Sequence, residues 1–180
     1  RIQAQLNGDK KVADLLMRLV DFFRISVKVD RQMVALDDEL ELLEAYMDLM
    51  CYRYPNLHCE YDIDPDLGGS LVPNFILQPL VENSLLHGLK NKGYRGEVVI
   101  TAKKEGNAIE ILIRDSGSGF TDGRKDIIDE MLLHYDKKQA KLEGNSIGIL
   151  NVQKRIKLLC GPKYGLSYME NETGGVTARL

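Results

Sequence analysis

Three polar side chains stand at short spacing in the segment LQPLVENSLLHGL, which covers residues 77–89. Glu82 and Asn83 are adjacent, and His87 comes four residues after Asn83, so Asn83 and His87 face the same way on a helix. An amide oxygen and an imidazole beside a carboxylate could hold Mg²⁺ and the oxygens of a triphosphate, because Mg²⁺ prefers hard oxygen ligands. A helix with an ordinary solvent-exposed polar face is the alternative that these residues leave open.

A second candidate is the loop DSGSG at residues 115–119, which directly follows a predicted strand rich in isoleucine. Its alternating glycines let a backbone approach a ligand closely, and the Asp115 carboxylate could accept a hydrogen bond from an exocyclic amine. An ordinary turn would have the same composition. The loop is not a dinucleotide fingerprint, because no helix opens after it, and glycines stand where an EF-hand needs oxygen ligands.

Two further glycine-rich sites lie nearer the end of the chain. Gly144 and Gly148 lead into a predicted helix whose free N–H groups could cradle phosphate, and Asn151 and Arg155 share one face of it. A helix cap followed by a surface arginine is the simpler interpretation. The segment GGVT at residues 174–177 is most simply a hairpin turn leaving a strand. The chain contains no G-x-x-x-x-G-K-[ST] sequence, which excludes a P-loop.

Helical periodicity dominates the first part of the chain. Apolar residues over 10–54 predict two amphipathic helices separated near residues 27–35, and the acidic run Asp37-Asp38-Glu39 is typical of a helix N-terminus. Such helices would bury their apolar stripes most easily as a hairpin or by dimerising. Because the composition changes at Pro55, we expect a domain boundary there, with a helical segment over 1–54 and a second domain over 55–180.

The second part alternates between strand and helix signals. We expect strands over 57–63, 97–104 and 108–114, helices over 74–90 and 144–159, and a final hairpin over 165–180 that turns at 171–175. Residues 120–145 are polar and weakly patterned, which predicts a long functional loop with a short helix over 126–134.

Composition narrows the function classes. The 180 residues include 24 basic and 27 acidic side chains, and the resulting net charge of −3 argues against a chain whose main work is coating nucleic acid. No apolar run approaches the ~20 residues that span a bilayer. Three cysteines without a C-x-x-C pair suggest a reducing compartment rather than a disulfide framework or zinc site. Because the chain opens at Arg1 and closes inside a predicted strand, we expect a fragment of a longer protein.

The order of the four sites is more specific than any one of them. A helix with Glu-Asn and His, then D-x-G-x-G, a long loop, G-x-x-x-G and G-G-x-T resembles the N, G1, G2 and G3 boxes of the GHKL ATP-binding domain. The segments LQPLVENSLLHGL and GNSIGILNVQKRIKLLCGPKYGL are similar to sensor histidine kinases of the LytS/YesM type. The resemblance covers residues 10–180. It implies an α+β fold, a two-layer α/β sandwich of GHKL (Bergerat) type, preceded by an α-helical hairpin.

The resemblance also implies roles for the first two sites. Asn83 would ligate the Mg²⁺ that bridges the ATP phosphates, Glu82 would order water beside it, and His87 would lie near the phosphates or ribose. Asp115 would accept the adenine amino group, with Gly117 and Gly119 allowing the base to approach.

The later sites receive roles on the same ground. Gly148, Ile149 and Leu150 would cover the triphosphate, and Asn151 would touch phosphate. Thr177 would support the adenine side of the pocket, and residues 120–145 would form a mobile ATP lid.

The implied activity is that of an ATP-dependent protein-histidine kinase of a two-component system. It would transfer the γ-phosphoryl to a histidine and thence to a response regulator. We expect a homodimer, no nucleic-acid partner, and a cytoplasmic location in a membrane-anchored bacterial parent. One departure is serious: Gln3-Ala4-Gln5-Leu6 resembles the start of the family's phosphoacceptor stretch, but Asn7 follows and the histidine is missing.

Two other functions stay open. GHKL ATPases and anti-sigma-type serine kinases resemble one another in placing a carboxylate four residues before the Mg²⁺ asparagine, to activate the attacking group. In this chain Pro79 occupies that position, which favours the histidine kinase. A nucleotide-binding regulatory module without transfer activity also fits the sequence.

Overall fold

Two helices form the first part of the described chain, as predicted. In the computed structural model, which describes residues 10–26, 31–121, 123–136, 146–172 and 174–180, they are α1 (Lys10–Ser26) and α2 (Leu36–Arg53). They pack together, and the Arg18 guanidinium donates to the Asp48 carboxylate at 2.9 Å. The predicted acidic first turn of α2 is confirmed. The phosphoacceptor-like stretch near Leu6 lies outside the described residues.

A five-stranded sheet forms one layer of the fold. Its strands are β2 (Leu57–Ile63), β4 (Gly96–Glu105), β5 (Ala108–Asp115), β6 (Ser167–Glu170) and β7 (Val176–Arg179). The order across the sheet is β2-β4-β5-β7-β6, with β2 parallel to β4 and the other pairs antiparallel. These strands confirm the predicted ones, and Gly106 makes the predicted β4–β5 turn at φ +61°.

A second, two-stranded sheet was not predicted. It pairs β1 (Met33–Ala35) with β3 (Leu71–Pro73) in antiparallel fashion, with Val34 opposite Val72. Three residues are too few to show a period-two pattern, and the partner lies almost forty positions away. This pairing fixes the start of α2 close to the segment that precedes the next helix.

The polar helix begins later than the predicted residue 74. It runs as α3 (Gln78–Asn83), continues as a π-helix over Ser84–Leu89 and ends in a 3₁₀ turn at Lys90–Lys92. Phe75 has a left-handed φ of +57°, which prevents a regular helix from starting there. Another 3₁₀ turn lies at Pro65–Leu67. Helices α4 (Arg124–Leu133) and α5 (Ser146–Leu159) follow near their predicted positions.

One continuous core joins the helices to the sheet. Alternate residues along β4, namely Val98, Ile100 and Ala102, are buried, so one face of the sheet is covered. Leu43 of α2 and Val152 of α5 belong to the same apolar cluster. The predicted α+β, two-layer architecture is confirmed. Helix α2 lies before the predicted domain boundary at residue 55 but packs into the same core as the sheet. The boundary therefore stays a prediction.

None of the helices in the described ranges combines the length and apolar composition that crossing a bilayer requires.

Candidate functional site

A cavity of about 310 Å³ lies between the polar helix and the end of β5. Asn83, Ser84, His87 and Gly88 line it from the helix side, and Asp115 and Gly119 line it from the DSGSG loop. Residues of two predicted segments therefore meet at one place, although up to 36 positions separate them in the chain. The cavity is the candidate functional site.

Asp115 is the most deeply buried charged group of the cavity, at 3% exposure. It is the last residue of β5, and its Oδ1 accepts hydrogen bonds from the N–H groups of Gly117 (2.8 Å) and Val176 (3.3 Å). Burial raises the pKa of the Asp115 carboxyl above its ordinary value, while these N–H groups and the Ser84 hydroxyl act in the opposite direction. The backbone thus fixes the carboxylate and presents it to the cavity as an acceptor.

Three glycines are packed too closely around Asp115 to carry a side chain. A Cβ on Gly88 would stand 2.7 Å from Asp115 Oδ1, and one on Gly117 would stand 2.4 Å from the Gly88 Cα. A Cβ on Gly175, where φ is +87°, would stand 2.1 Å from the Asp115 carbonyl oxygen. At these three positions, each in a different motif, the neighbouring atoms come so close to the backbone that only glycine fits. Gly119 has room, but its φ of +76° also suits glycine.

Thr177 supports Asp115 through a residue that the sequence analysis did not identify. The Thr177 hydroxyl donates to Asn171 Oδ1, and Asn171 Nδ2 donates to the Asp115 carbonyl oxygen at 2.8 Å. Thr177 is buried and lies outside the cavity lining. Its position on the adenine side of the pocket, as the resemblance implies, would thus be a supporting one.

The polar helix divides its functional side chains between two faces. Asn83 and His87 line the cavity, whereas Glu82 does not, because its Oε1 accepts a hydrogen bond from Gln78 Nε2 at 2.8 Å. Burial, and after it the Glu82 charge, raises the pKa of Tyr46 on α2, so Glu82 lies toward that helix. Ser84, the first residue of the π-helical turn, also lines the cavity, although a regular helical wheel places it on the apolar half.

His87 contacts a second helix across the cavity. Its Nε2 lies 3.3 Å from Arg124 Nη2 on α4, and arginine can only donate, so this contact needs an unprotonated Nε2. Burial lowers the pKa of His87, and the positive charges of Arg124 and Lys90 lower it further. Arg124 and Lys90 also line the cavity and make this side of it cationic. The sequence offered no signal for Arg124, which lies in a weakly patterned segment.

Two aromatic side chains also line the cavity. Phe120 and Tyr168 line it with their ring centroids 6.3 Å apart in an edge-to-face arrangement. Tyr168 lies on β6, and Phe120 follows the DSGSG loop. Lys92 fixes that loop from outside by donating to the carbonyl oxygens of Ser116 (2.6 Å) and Gly117 (2.8 Å). These contacts between distant segments were not predicted.

The residues predicted at the start of α5 do not line the cavity. Ile149 and Leu150 are buried, Asn151 is exposed, and a Cβ on Gly148 would lie 3.6 Å from Pro79. Residues 137–145, which belong to the predicted lid and precede this helix, lie outside the described residues. Of the four predicted sites, the structure brings together the first two and the fourth, whose Val176 lines the cavity and donates its N–H to Asp115.

The assembled cavity can bind a ligand that combines a flat, partly apolar ring with negatively charged groups. A fixed carboxylate accepts from an amine, aromatic rings provide an apolar wall, and cationic side chains lie beside two amides, Asn83 and Asn91. Such a combination of partners suits a nucleotide.

Two parts of the chain match known families. Residues 1–57 match the family described as "Histidine kinase", and residues 73–180 match "Histidine kinase-, DNA gyrase B-, and HSP90-like ATPase".

Curated relatives cover nearly the whole chain. Sensor protein LytS of Staphylococcus saprophyticus is 30% identical over 167 residues, which are 92% of this chain and 27% of the relative. Sensor histidine kinase YesM of Bacillus subtilis is 29% identical over 173 residues, which are 95% of this chain and 28% of the relative. The chain thus spans little more than a quarter of the length of these relatives.

A solved structure supports the fold assignment. The catalytic domain of histidine kinase ThkA superposes with a TM-score of 0.57 at 15% identity, over 84% of this chain and 94% of that one. Such low identity speaks for the fold alone. On the extent of the sequence match and the shared architecture, the chain belongs to the histidine kinase-, DNA gyrase B- and HSP90-like ATPase family and is similar to sensor proteins of the LytS and YesM type.

Proposed function

We propose that this chain is the ATP-binding catalytic part of a sensor protein-histidine kinase. The observation that carries the proposal is the position of the Asp115 carboxylate. Backbone N–H groups hold it at the cavity, and the glycines around it are packed so closely that they have no room for side chains. A buried acceptor of this kind selects a ligand with a hydrogen-bond donor, because leaving it unpaired costs free energy. The adenine amino group is such a donor.

The rest of the cavity suits the other parts of ATP. Phe120 and Tyr168 would flank the apolar base, and Gly117 and Gly119 would let it approach the loop. Lys90, Arg124 and His87 would lie near the ribose and phosphates, and the positive charges of Lys90 and Arg124 favour an anion. Thr177 would act through Asn171.

For Mg²⁺, the donor set fits an ion that is held mainly by the nucleotide. In the described ranges, no group of three or more His, Cys, Asp or Glu side chains could hold a metal. Mg²⁺ commonly uses one or two protein oxygens together with substrate phosphates and waters. Asn83 would supply its amide oxygen, and the bound ion would neutralise charge on the phosphates. Glu82 accepts from Gln78 through Oε1, and its second carboxylate oxygen would order water.

Gly148, Ile149, Leu150 and Asn151 stay proposed residues of the triphosphate side. They lie at the start of α5, beside Pro79 at the beginning of the polar helix. A helix start has free N–H groups that favour phosphate. In the described structure these residues lie outside the cavity lining.

The proposed reaction moves the γ-phosphoryl of ATP to a histidine nitrogen. The bond between the γ-phosphorus and the bridging oxygen breaks, ADP leaves, and a phosphorus–nitrogen bond forms; an aspartate of a response regulator then accepts the phosphoryl. The protein contributes positioning and electrostatic stabilisation. The α1–α2 pair would belong to the dimerising part of a homodimer, in a membrane-anchored parent with this region in the cytoplasm. We propose no nucleic-acid partner.

Two other proposals are distinguishable. Pro79 stands where a GHKL ATPase or anti-sigma-type serine kinase would have a carboxylate, which disfavours both. A regulatory nucleotide-binding module needs no histidine that accepts a phosphoryl group. None of the three histidines of the chain lies in the stretch near Leu6 that resembles the phosphoacceptor region, which is compatible with this alternative. His58 and His134 are exposed on other elements, and His87 lines the cavity.

Labelling with γ-labelled ATP separates these functions. We would compare this chain with a variant in which a Pro-His-Phe segment is inserted after Leu6. Acid-labile, base-stable label on the inserted variant alone supports the histidine kinase. ATP binding to both chains without label on either supports the regulatory module, and absence of ATP binding contradicts the proposal altogether.

A further inference from the structure

Glu39 is a buried carboxylate that the ATP cavity does not use. It lies in the first turn of α2 and is 3% exposed. Its Oε1 accepts from the N–H of Phe75 at 2.6 Å, and its Oε2 accepts from the N–H groups of Ile76 (3.0 Å) and Leu77 (3.2 Å). Burial raises the pKa of Glu39, and these N–H groups oppose that effect. One side chain of α2 thus binds three consecutive amides of the segment that leads into α3.

These amides belong to the turn that leads into α3, whose N-cap is Leu77. The first N–H groups of a helix have no partner within it, and a negative charge there is favoured by the helix dipole. Phe75 takes a left-handed φ of +57°, which a residue with a side chain adopts only when its surroundings hold it. Its short hydrogen bond to Glu39 is such a restraint.

Arg155 of α5 holds the same segment from the other side. Its Nη1 donates to the carbonyl oxygen of Asn74 at 2.5 Å and lies 3.5 Å from that of Phe75. The Arg155 charge also lowers the pKa of Glu39, so the two groups attract each other. Asn74 is tied in addition to the segment before β1, because its N–H donates to the Gln32 carbonyl oxygen at 2.9 Å. The start of α3 is therefore held between α2 and α5.

A short, rigid path leads from this point to the cavity. Asn83 follows Leu77 by six residues, or about 9 Å along a helix axis. Leu77, Leu80 and Val81 on this path are at most 1% exposed. A displacement at residues 75–77 would therefore move Asn83 and the π-helical turn with His87 rather than be absorbed between them.

We propose that Glu39, together with Arg155, is a positioning residue that couples α2 to the ATP cavity by holding the start of the polar helix. The role of the coupling in nucleotide binding rests on the proposed function. Through this contact, a shift of α2 changes the place of Asn83 and His87, and bound nucleotide in turn restrains α2.

The test compares Glu39→Gln in the full chain with two controls. Glutamine keeps the size of the side chain but removes its charge and turns an acceptor into a donor toward the N–H groups. Glu41→Gln changes an exposed charge on the same helix. Ile100→Val removes one methylene from the core of the sheet and lowers stability without touching residues 74–77.

Two measurements are made below the unfolding range of every variant. For Glu39→Gln we expect the dissociation constant of ATP to rise on the order of tenfold, and amide hydrogen exchange over Asn83–Leu89 to accelerate. Glu41→Gln should change neither quantity, and Ile100→Val should change them little. Arg155→Gln should act in the same direction as Glu39→Gln, and the double variant should show less than the sum of the two effects.

A merely structural role for Glu39 predicts a different result. In that case Glu39→Gln and Ile100→Val, compared at an equal loss of melting temperature, would have equal effects on ATP binding and on amide hydrogen exchange over Asn83–Leu89. This result would overturn the proposal. Failure of the proposed function is separate, because it appears as absence of ATP binding by the unaltered chain. The exchange measurement needs no nucleotide and would still decide whether Glu39 holds the cavity helix.

Discussion

The backbone of Gly88 lies directly against the carboxylate of Asp115, so that a Cβ on Gly88 would stand 2.7 Å from Asp115 Oδ1. The two residues belong to different motifs, one on the π-helical turn and one at the end of β5. Their contact joins the two walls of the cavity. The site therefore requires glycine at residue 88 as well as the carboxylate at residue 115.

Replacing Gly88 by alanine should push these walls apart. We expect Gly88→Ala to lower the free energy of unfolding by about 1–3 kcal/mol, the usual result of overpacking, and to weaken ATP binding. Urea denaturation and calorimetric titration with ATP would measure the two effects. Gly69→Ala is a matched control, since no atom lies within 4 Å of its Cβ position. Equal stability of the two variants would contradict the close approach.

The adenine assignment of Asp115 is tested by Asp115→Asn. Asparagine retains an oxygen for the Gly117 N–H, so the fold should persist, but it presents an amide in place of a buried carboxylate. We expect the dissociation constant of ATP to rise about 10–100-fold, as for a lost hydrogen bond to a charged group. Titration calorimetry with ATP and circular dichroism would measure this. Glu105→Gln, an exposed change at the far end of β4, is the control, and an unchanged affinity for Asp115→Asn would refute the assignment.

The proposed metal ligand is tested by Asn83→Ala. The unaltered chain should bind ATP more tightly with Mg²⁺ than with a chelator, because the ion would join the phosphates to Asn83. In Asn83→Ala we expect this difference to disappear. The same titrations on Asn107→Ala, in the exposed β4–β5 turn, should show the difference intact. Persistence of the Mg²⁺ effect in Asn83→Ala would place the ion elsewhere.

The lowered pKa of His87 predicts a dependence of stability on pH. As the pH falls below 6.5, the unfolded chain takes up a proton at this histidine while the folded chain still resists it, so the folded state loses stability. In His87→Gln this part of the loss should be absent. We would compare free energies of unfolding at about pH 7.5 and about pH 5.5. His58→Gln, an exposed change on β2, should keep the loss, and an equal loss in His87→Gln would show that His87 is not its source.

Most of the elements could be predicted because their signals are local. The alternation along β4 and β5, the turn at Gly106 and the acidic start of α2 are each contained in a few neighbouring residues. Asn83, His87, Asp115 and Gly119 were identified for the same reason, since each belongs to a short motif. The β1–β3 pair was missed because its two strands are short and distant in the chain.

The remaining members of the site reach it from distant segments. Arg124 contacts His87 from α4, Asn171 holds the Asp115 carbonyl oxygen from the last hairpin, and Lys92 holds the DSGSG loop. No periodicity or motif marks these three residues, because the contacts exist only when their elements are packed together.

The sequence by itself determined most of the elements, the order of the motifs and the family to which that order points. The tertiary structure alone decided which side chains of the polar helix face the cavity. A regular helical wheel places Glu82 beside Asn83 and puts Ser84 on the apolar half, but in the folded chain Ser84 lines the cavity and Glu82 is hydrogen-bonded to Gln78 instead. The π-helical turn lies where the backbone of Gly88 packs against Asp115, an approach of two distant segments that local sequence preference does not encode.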